Sequence, residues 1–494
     1  AVTGNNLALQ EIDVIGAPVA VPPTLELSSM FSNDMILQRE KAVPVWGTST
    51  AGESITVEFD GQTKTTTTAG DGTWTLNLDS MDADAVGQDL KVTAGQGSNT
   101  TVVTYSNVLV GEVWVCSGQS NMAFSNAQTE FSAAVEAAPD NPNLRFFKVP
   151  KITQETPLER ISTVWTESTT GSSGTAKGFG AVAYYFGLKL QDELESSEGA
   201  KDVPIGLIHS AKGGTSVEQW LPAGNNYNST AGGYYNGQID ALIPFAMRGV
   251  LWYQGETNVM NDQDAAGYVT KKKALIDGWR ALWGETFPFY YVQLAPYNYT
   301  GDADGVLPLF WEAQSAILDQ VSNTAMAVTS DWVTDRDGNL NLDEIHPRNK
   351  QPAGERLALL ALDNTYGQNI VSSGPIFKSM VQVSGTLEVT FDSADGLTTS
   401  DGQSPDNFEI AGTDGVFVPA TATVSGNKVT LSDAGVASPV SVRFAWVETA
   451  QPNLRNAAGL VPSAFRLIDS DGDGISDAVE GSADTDGDGT ADYL

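Results

Sequence analysis

Two patterns of hydrophobic and polar positions divide the chain. From about 24 to 107, and again from about 366 to 466, apolar and polar residues alternate in short runs. SITVEFDG, GTWTLNLDS and TTVVTYS are examples from the first stretch, and LEVTFDS, NFEIAG, KVTLSDAG and VSVRFAW from the second. A period of two bounded by Gly, Asp or Asn predicts half-buried strands joined by turns, so each stretch is read as a β module. Between them, 108–365 changes character. The β-rich runs EVWVC, PIGLIHS, RGVLWYQG, FYYVQLA and AMAVTSD alternate with helical stretches over 181–194, 265–283 and 352–362. In the last of these, Leu357, Leu360 and Leu362 mix with Glu355 and Arg356, an amphipathic face. Such alternation predicts an α/β domain whose parallel sheet is covered on both sides, with the functional loops gathered on one edge. A lead-in over 1–23 and a tail over 467–494 complete the division.

The transition at 109–122, LVGEVWVCSGQSNM, carries the chemistry. An apolar run stops at the small polar turn Ser117-Gly118-Gln119-Ser120-Asn121. A strand followed by a glycine-containing turn and a serine is how α/β hydrolytic folds lift a nucleophile above the sheet. A helix is expected from near Met122, its amides facing the reacting carbonyl. Serine needs a base, and the chain holds two histidines, His209 and His346. His346 lies in Asp343-Glu344-Ile345-His346-Pro347, an acid three residues ahead of it. His209 ends the PIGLIHS run and is the alternative base. The lone cysteine, Cys116, allows no intrachain disulfide and is read as a small buried hydrophobe.

These motifs resemble the SGNH hydrolases, specifically the sialate O-acetylesterase-like branch. The resemblance rests on GQSNM, on the late D-x-x-H with IHPRNK, and on three further stretches: LIHSAKGGTSVEQW at 207–220, GVLWYQGETN at 249–258 and LSSMFSNDMILQREKAVPVWG at 27–47. It spans about 24 to 466. It implies an SGNH three-layer parallel-sheet domain flanked by N- and C-terminal β-sandwich-like modules, and a carbohydrate O-acetylesterase that needs no metal. It implies Ser120 as nucleophile, His346 as base and Asp343 as the orienting acid, with Glu344 and Glu256 as rival carboxylates. The oxyanion hole is expected from the Ser120 N–H, Gly214 and a side-chain amide. Relatives commonly use an asparagine there, whereas this chain carries Gln254, with Asn258 second. Trp220, Trp252 and Tyr253 are either core or the wall of a sugar site, with Trp220 and Asn258 taken as substrate-binding. Arg348 is the candidate clamp for a sialate carboxylate, against an ion pair or a contact at a helix start.

Charge and composition narrow the partners. With 61 acidic against 26 basic residues the net charge is -35, which disfavours nucleic acid and anionic membranes. No run of about 18 apolar residues is present to span a bilayer. The beginning AVTGNNLALQ reads as a mature end after signal removal, which points to a secreted, periplasmic or cell-envelope protein. In the tail, Asp469, Asp471, Asp473, Asp477 and Glu480 fall at the oxygen-ligand positions of a calcium loop, with Gly474 at the sharp turn and Ile475 offering its carbonyl. A second copy supplies Asp484, Asp486, Asp488 and Asp492. The tail resembles thrombospondin type 3 and dockerin-like repeats, which implies a structural Ca²⁺. Two other functions stay open: a non-catalytic carbohydrate-binding or surface-display protein, and an SGNH esterase acting on other acyl esters.

Overall fold

The computed structural model describes residues 21–199, 202–224, 232–301, 305–331 and 344–468. Its organising element is one 20-residue strand, Asn99–Gly118. The first half pairs antiparallel with Asp84–Gln96 of the N-terminal module. The second half pairs in parallel with Ile205–Ala211 on one side and Gly249–Tyr253 on the other. Sequence composition changes at about 107, but the backbone runs through that point without a break.

Around this strand lies the sheet that the alternation predicts. From one edge to the other its strands are Trp165–Ser168, Asn141–Lys148, Ile205–Ala211, Asn99–Gly118, Gly249–Tyr253, Phe289–Val292 and Thr324–Ala327. All are parallel except Trp165–Ser168, which runs antiparallel at the edge. Ile205–Ala211 and Gly249–Tyr253 are buried at every position, as strands covered on both faces must be. Helices Ala181–Ser197 and Gln351–Asn364 pack together, as do Ala265–Trp283 and Leu307–Gln320. After Asn99–Gly118 the chain lays down one side of the sheet, ending with Ile205–Ala211 set against the central strand, and then crosses to Gly249–Tyr253 and builds the other side outward. The crevice at its carboxyl end is therefore the topological switch point, where open α/β sheets bind ligands.

The modules on either side are antiparallel. The N-terminal one sets a sheet of Leu25–Leu27, Val43–Ser49 and Thr73–Leu78 beside Ser54–Phe59, Gln62–Thr67 and Asp84–Gln96. The C-terminal one has two four-stranded sheets, led by Ile376–Val383 and by Val418–Pro419. Strands Asn141–Lys148 and Trp165–Ser168 and helices Ser132–Ala137, Glu256–Asn261 and Leu307–Gln320 go beyond the sequence reading. The helix after the serine turn also differs, starting at Ser120 and lasting one turn, to Ala123.

Where the central strand passes between modules, Glu112 is fully buried. Its carboxylate accepts from Arg39 Nε at 2.6 Å, Arg248 Nε at 2.7 Å and Gln38 Nε2 at 3.0 Å. Burial pushes this carboxyl up, but the two guanidinium groups outweigh it and hold it below its ordinary value. Arg39 extends the network to Glu198 at the end of the Ala181–Ser197 helix. Removing the shared acid leaves Arg39 only the part-exposed Glu198 and Arg248 only the exposed Glu40, and takes away the one fully buried carboxylate that both share. Glu112→Ala should therefore cost about 3 kcal/mol or more, read as a clear fall in Tm. An unchanged Tm would show that the network does not hold the modules.

Candidate active site

Gly118 sets the turn that presents Ser120. Its φ is +138°, and a Cβ there would lie 2.1 Å from the Tyr253 carbonyl oxygen, so only glycine fits. Both neighbours of Ser120 are buried and turned inward. Gln119 Oε1 accepts from the N–H groups of Gly255 at 3.3 Å and Thr257 at 3.2 Å. Asn121 donates to Glu256 Oε1 and, at 3.1 Å, to the Ile345 carbonyl, and accepts from Lys350 Nζ. Ser120 itself is part-exposed, and its hydroxyl makes no hydrogen bond among the described residues. The residue after the serine thus grips the residue before His346, which brings the two sequence motifs together.

His346 stacks on Phe124 at 5.5 Å between centroids and 15° between planes. Its Nδ1 lies 3.3 Å from Glu344 Oε1, which also accepts the His346 backbone N–H at 3.1 Å. Burial, then the nearby Lys350 cation, lowers the imidazole's proton affinity, and Glu344 opposes both. Arg348 and Lys350 lie over the same Phe124 ring at 5.0 and 5.2 Å. Lys350 is buried, and burial brings its ammonium down to about 7 against the attraction of Glu256. Burial also raises the Glu256 carboxyl, whose Oε2 has no partner among the described residues. Asp343 lies outside the described residues, so the carboxylate seen at the imidazole is Glu344.

The other histidine is placed differently. His209 is buried, its Nε2 is 3.0 Å from the Met122 carbonyl, and burial pushes it down to about 4. Cys116 is buried, and burial alone pushes its thiol up.

Three expected binding residues turn out to be scaffold. Gln254 is fully buried, and its amide donates to the Thr215 carbonyl at 3.1 Å and to Asn258 Oδ1 at 2.7 Å, which leaves no hydrogen for an oxyanion. Asn258 accepts from Val217 N–H and Gln254, and donates to Glu218 and Asp262, so its polar atoms are committed as well. Trp220 is buried, bonded through Nε1 to Thr215 Oγ1 at 3.0 Å and stacked on Tyr234, so it walls no sugar site. Trp252 and Tyr253 are buried too. Arg348 is part-exposed but paired with Glu344 at 3.3 Å and bonded to the Gln128 carbonyl, the ion-pair alternative of its two readings.

The glycine pair is open. Gly214 is exposed, with φ +74°. Among the described residues neither Gly213 nor Gly214 donates its N–H to another group. Gly213 lies against the Ser120 turn, where a Cβ would stand 3.2 Å from Ser120 Cβ. The Ser120 N–H opens a helical turn and has no carbonyl to meet within it.

Residues 110–360 match the family described as carbohydrate esterase, sialic acid-specific acetylesterase. The chain belongs to this family. It is 32% identical over 476 residues to the sialate O-acetylesterase of Homo sapiens, covering 85% of this chain and 87% of that one. The Mus musculus sialate O-acetylesterase is 29% identical over 499 residues, covering 85% and 89%. Among solved structures, a carbohydrate acetylesterase from Xanthomonas citri superposes with a TM-score of 0.80 at 36% identity, covering 90% of this chain and 99% of that one. Family membership makes the chain an ester hydrolase, and the described residues contain no group of three or more His, Cys, Asp or Glu able to hold a metal. The tail residues Asp469, Asp471, Asp473, Ile475, Asp477, Glu480, Asp484, Asp486, Asp488 and Asp492 lie outside the described residues. No helix among the described residues is long and apolar enough to cross a membrane.

Asn121, Glu256 and Lys350 are the residues that the motif reading underrates. Glu256 entered only as a rival acid. The available signal for Lys350 was its spacing, four residues beyond His346 at the start of a helix. The contact at Gly213 generates a test. Gly213→Ala would press a methyl group on Ser120, and kcat should fall about tenfold, since small displacements of a reacting group carry large rate penalties. Wild-type kcat in a folded Gly213→Ala protein would show that the turn can yield.

Proposed function

We propose that this protein is a serine O-acetylesterase of carbohydrates. The observation that carries the reading is the part-exposed Ser120 hydroxyl at the switch point of the sheet, without a hydrogen-bond partner among the described residues and tied through Asn121 to the loop of His346. Its relatives' names supply the substrate class: acetyl esters on sialic acid or on a polysaccharide.

In this reading His346 takes the Ser120 proton as Oγ attacks the acetyl carbonyl carbon. The tetrahedral oxyanion sits among the N–H groups of Ser120 and Gly214, with Gly213 alongside. Its collapse breaks the ester bond, and His346 returns the proton to the departing sugar hydroxyl. Water, deprotonated by the same imidazole, then releases acetate. Asp343 orients the imidazole, and Glu344 stands beside it. The Asp/Gly tail holds Ca²⁺ for stability and takes no part in the chemistry.

Ser120→Ala and His346→Ala should each lower acetate release by about 10³-fold or more, with His209→Ala far milder. Full turnover by folded Ser120→Ala protein would end the proposal. Asp343→Asn should cost more than Glu344→Gln, and the reverse order would pass the orienting role to Glu344. The acid limb carries a sign. Only neutral imidazole accepts the serine proton, and His346 is held below the ordinary imidazole value. Activity should therefore rise with pH through a midpoint under about 6.5. Lys350→Met removes a cation that depresses His346, so it should move that midpoint upward. A midpoint that stays put would mean that Lys350 does not act on His346.

Removing residues 467–494 should leave this chemistry intact and abolish a calorimetric Ca²⁺ titration. Identical titrations of the full and shortened chains would refute the calcium reading.

A further inference from the structure

With 61 acidic residues to 26 basic ones, a basic side chain on this surface finds a carboxylate easily. Lys64, Lys91, Lys189, Lys273, Lys378 and Lys428 each bond one. Lys148, Lys151 and Lys212 differ, for among the described residues none of the three has a carboxylate partner. Lys148 is exposed and reaches only the Gly178 carbonyl, at 2.5 Å. Lys151 is exposed, and Lys212 is half-buried.

They stand together on the carboxyl edge of the sheet. Lys148 ends its strand opposite His209 of the neighbouring strand. Lys212 follows that neighbour directly, and its N–H bonds the Gly118 carbonyl at 3.0 Å. Lys151, three residues after Lys148, is close enough to both for their charges to act on it. After burial, repulsion from Lys148 and Lys212 is what lowers its ammonium, and no acid among the described residues offsets it. The residue after Lys212 is Gly213, which rests against Ser120. Three like charges with no carboxylate partner among the described residues oppose one another, and Lys212 adjoins the Ser120 turn through its N–H bond to the Gly118 carbonyl. An anion that docks there relieves the repulsion.

We propose that Lys148, Lys151 and Lys212 form a subsite for the anionic group of the substrate, so that the acetyl ester is presented on an acidic sugar. The inference rests on Ser120 being the nucleophile. The recognised chemistry is a carboxylate or sulfate on the acetylated residue or its neighbour in the glycan. The overall charge of -35 does not exclude such a substrate. Exposed charges are screened beyond about 8–10 Å at ordinary ionic strength, so the local trio governs what can dock.

The test compares Lys151→Gln and the triple Lys148→Gln/Lys151→Gln/Lys212→Gln variant with wild type, each in the full chain. Acetate release is measured on three probes: an O-acetylated sialic acid, an acetylated sulfated polysaccharide and acetylated xylan. The readout is the ratio of kcat/KM on each acidic probe to that on xylan, which is independent of the folded fraction. In the triple variant this ratio should fall about tenfold for at least one acidic probe, since a charge-assisted contact is lost. Lys151→Gln should shift it in the same direction, and added salt should lower it in wild type only. Loss with the sialic acid alone identifies a carboxylate subsite, and loss with both acidic probes a general anion subsite. A wild-type ratio in the triple variant overturns the proposal. Ser120→Ala keeps the two readings apart, because acetate release surviving that change defeats the serine mechanism whatever the lysines do.

Discussion

The structure depends on the continuity of Asn99–Gly118. One strand serves as the edge partner of an N-terminal sheet, then as the centre of the parallel sheet, and then as the base of the Ser120 turn. A strand that changes partners along its length must satisfy its register with both. At the crossing point Glu112 supplies that specification by binding Arg39 and Arg248 at once. The N-terminal module is thereby more than an appendage. Its packing fixes the register of the strand that aims Ser120, and the Trp165 indole bonding the Met30 carbonyl anchors the same module to the sheet's edge strand.

At the other end of this strand, position is held by amides. Gln119 and Asn121 flank the serine: Gln119 bonds the 255–257 turn, and Asn121 bonds both Glu256 of that turn and the approach to His346. Buried amides in satisfied networks rigidify what they join. The one-turn helix Ser120–Ala123 is too short to contribute much of a macrodipole. Transition-state stabilisation in this reading therefore rests on individual N–H groups of the serine and the glycine pair rather than on a helix end.

What could be read from the chain follows from which physical signals are local. The period-two modules, the alternating centre, and the helices near 181, 265 and 352 come from burial patterns that each segment carries by itself. GQSNM and DEIHP are equally local. The strand Asn141–Lys148 was missed because its run, NPNLRFFK, sets Arg145 among apolar residues. That arginine is buried and bonds the Asn107 carbonyl, a partner 38 residues away. Gln254 and Asn258 were misread for a related reason. An amide at a strand end can serve a ligand or a neighbouring loop, and only the tertiary partner decides. Trp220 met the same ambiguity, since helix packing from outside determined that it is covered. Asn121 looked like a turn residue, yet its three partners come from 256, 345 and 350, so no spacing rule connects them.

The electrostatics of the site invert those of the molecule. A chain with net charge -35 places Lys350 beneath the Ser120 turn, Arg348 over Phe124, and, at the adjoining strand ends, three lysines without acid partners among the described residues. Ester hydrolysis develops negative charge on the carbonyl oxygen, and positive groups fixed nearby favour it without reorganising. Burial first, and then Lys350 and Arg348, lower the proton affinity of His346, which in the proposed mechanism favours the neutral imidazole that the base must be. Glu344 prevents this effect from going too far by holding the imidazole's proton affinity up. In the proposed mechanism, the balance of one carboxylate against two cations within four residues of His346, together with its burial, sets the imidazole for proton transfer, and the acidic surface, screened within about a Debye length, leaves that balance undisturbed.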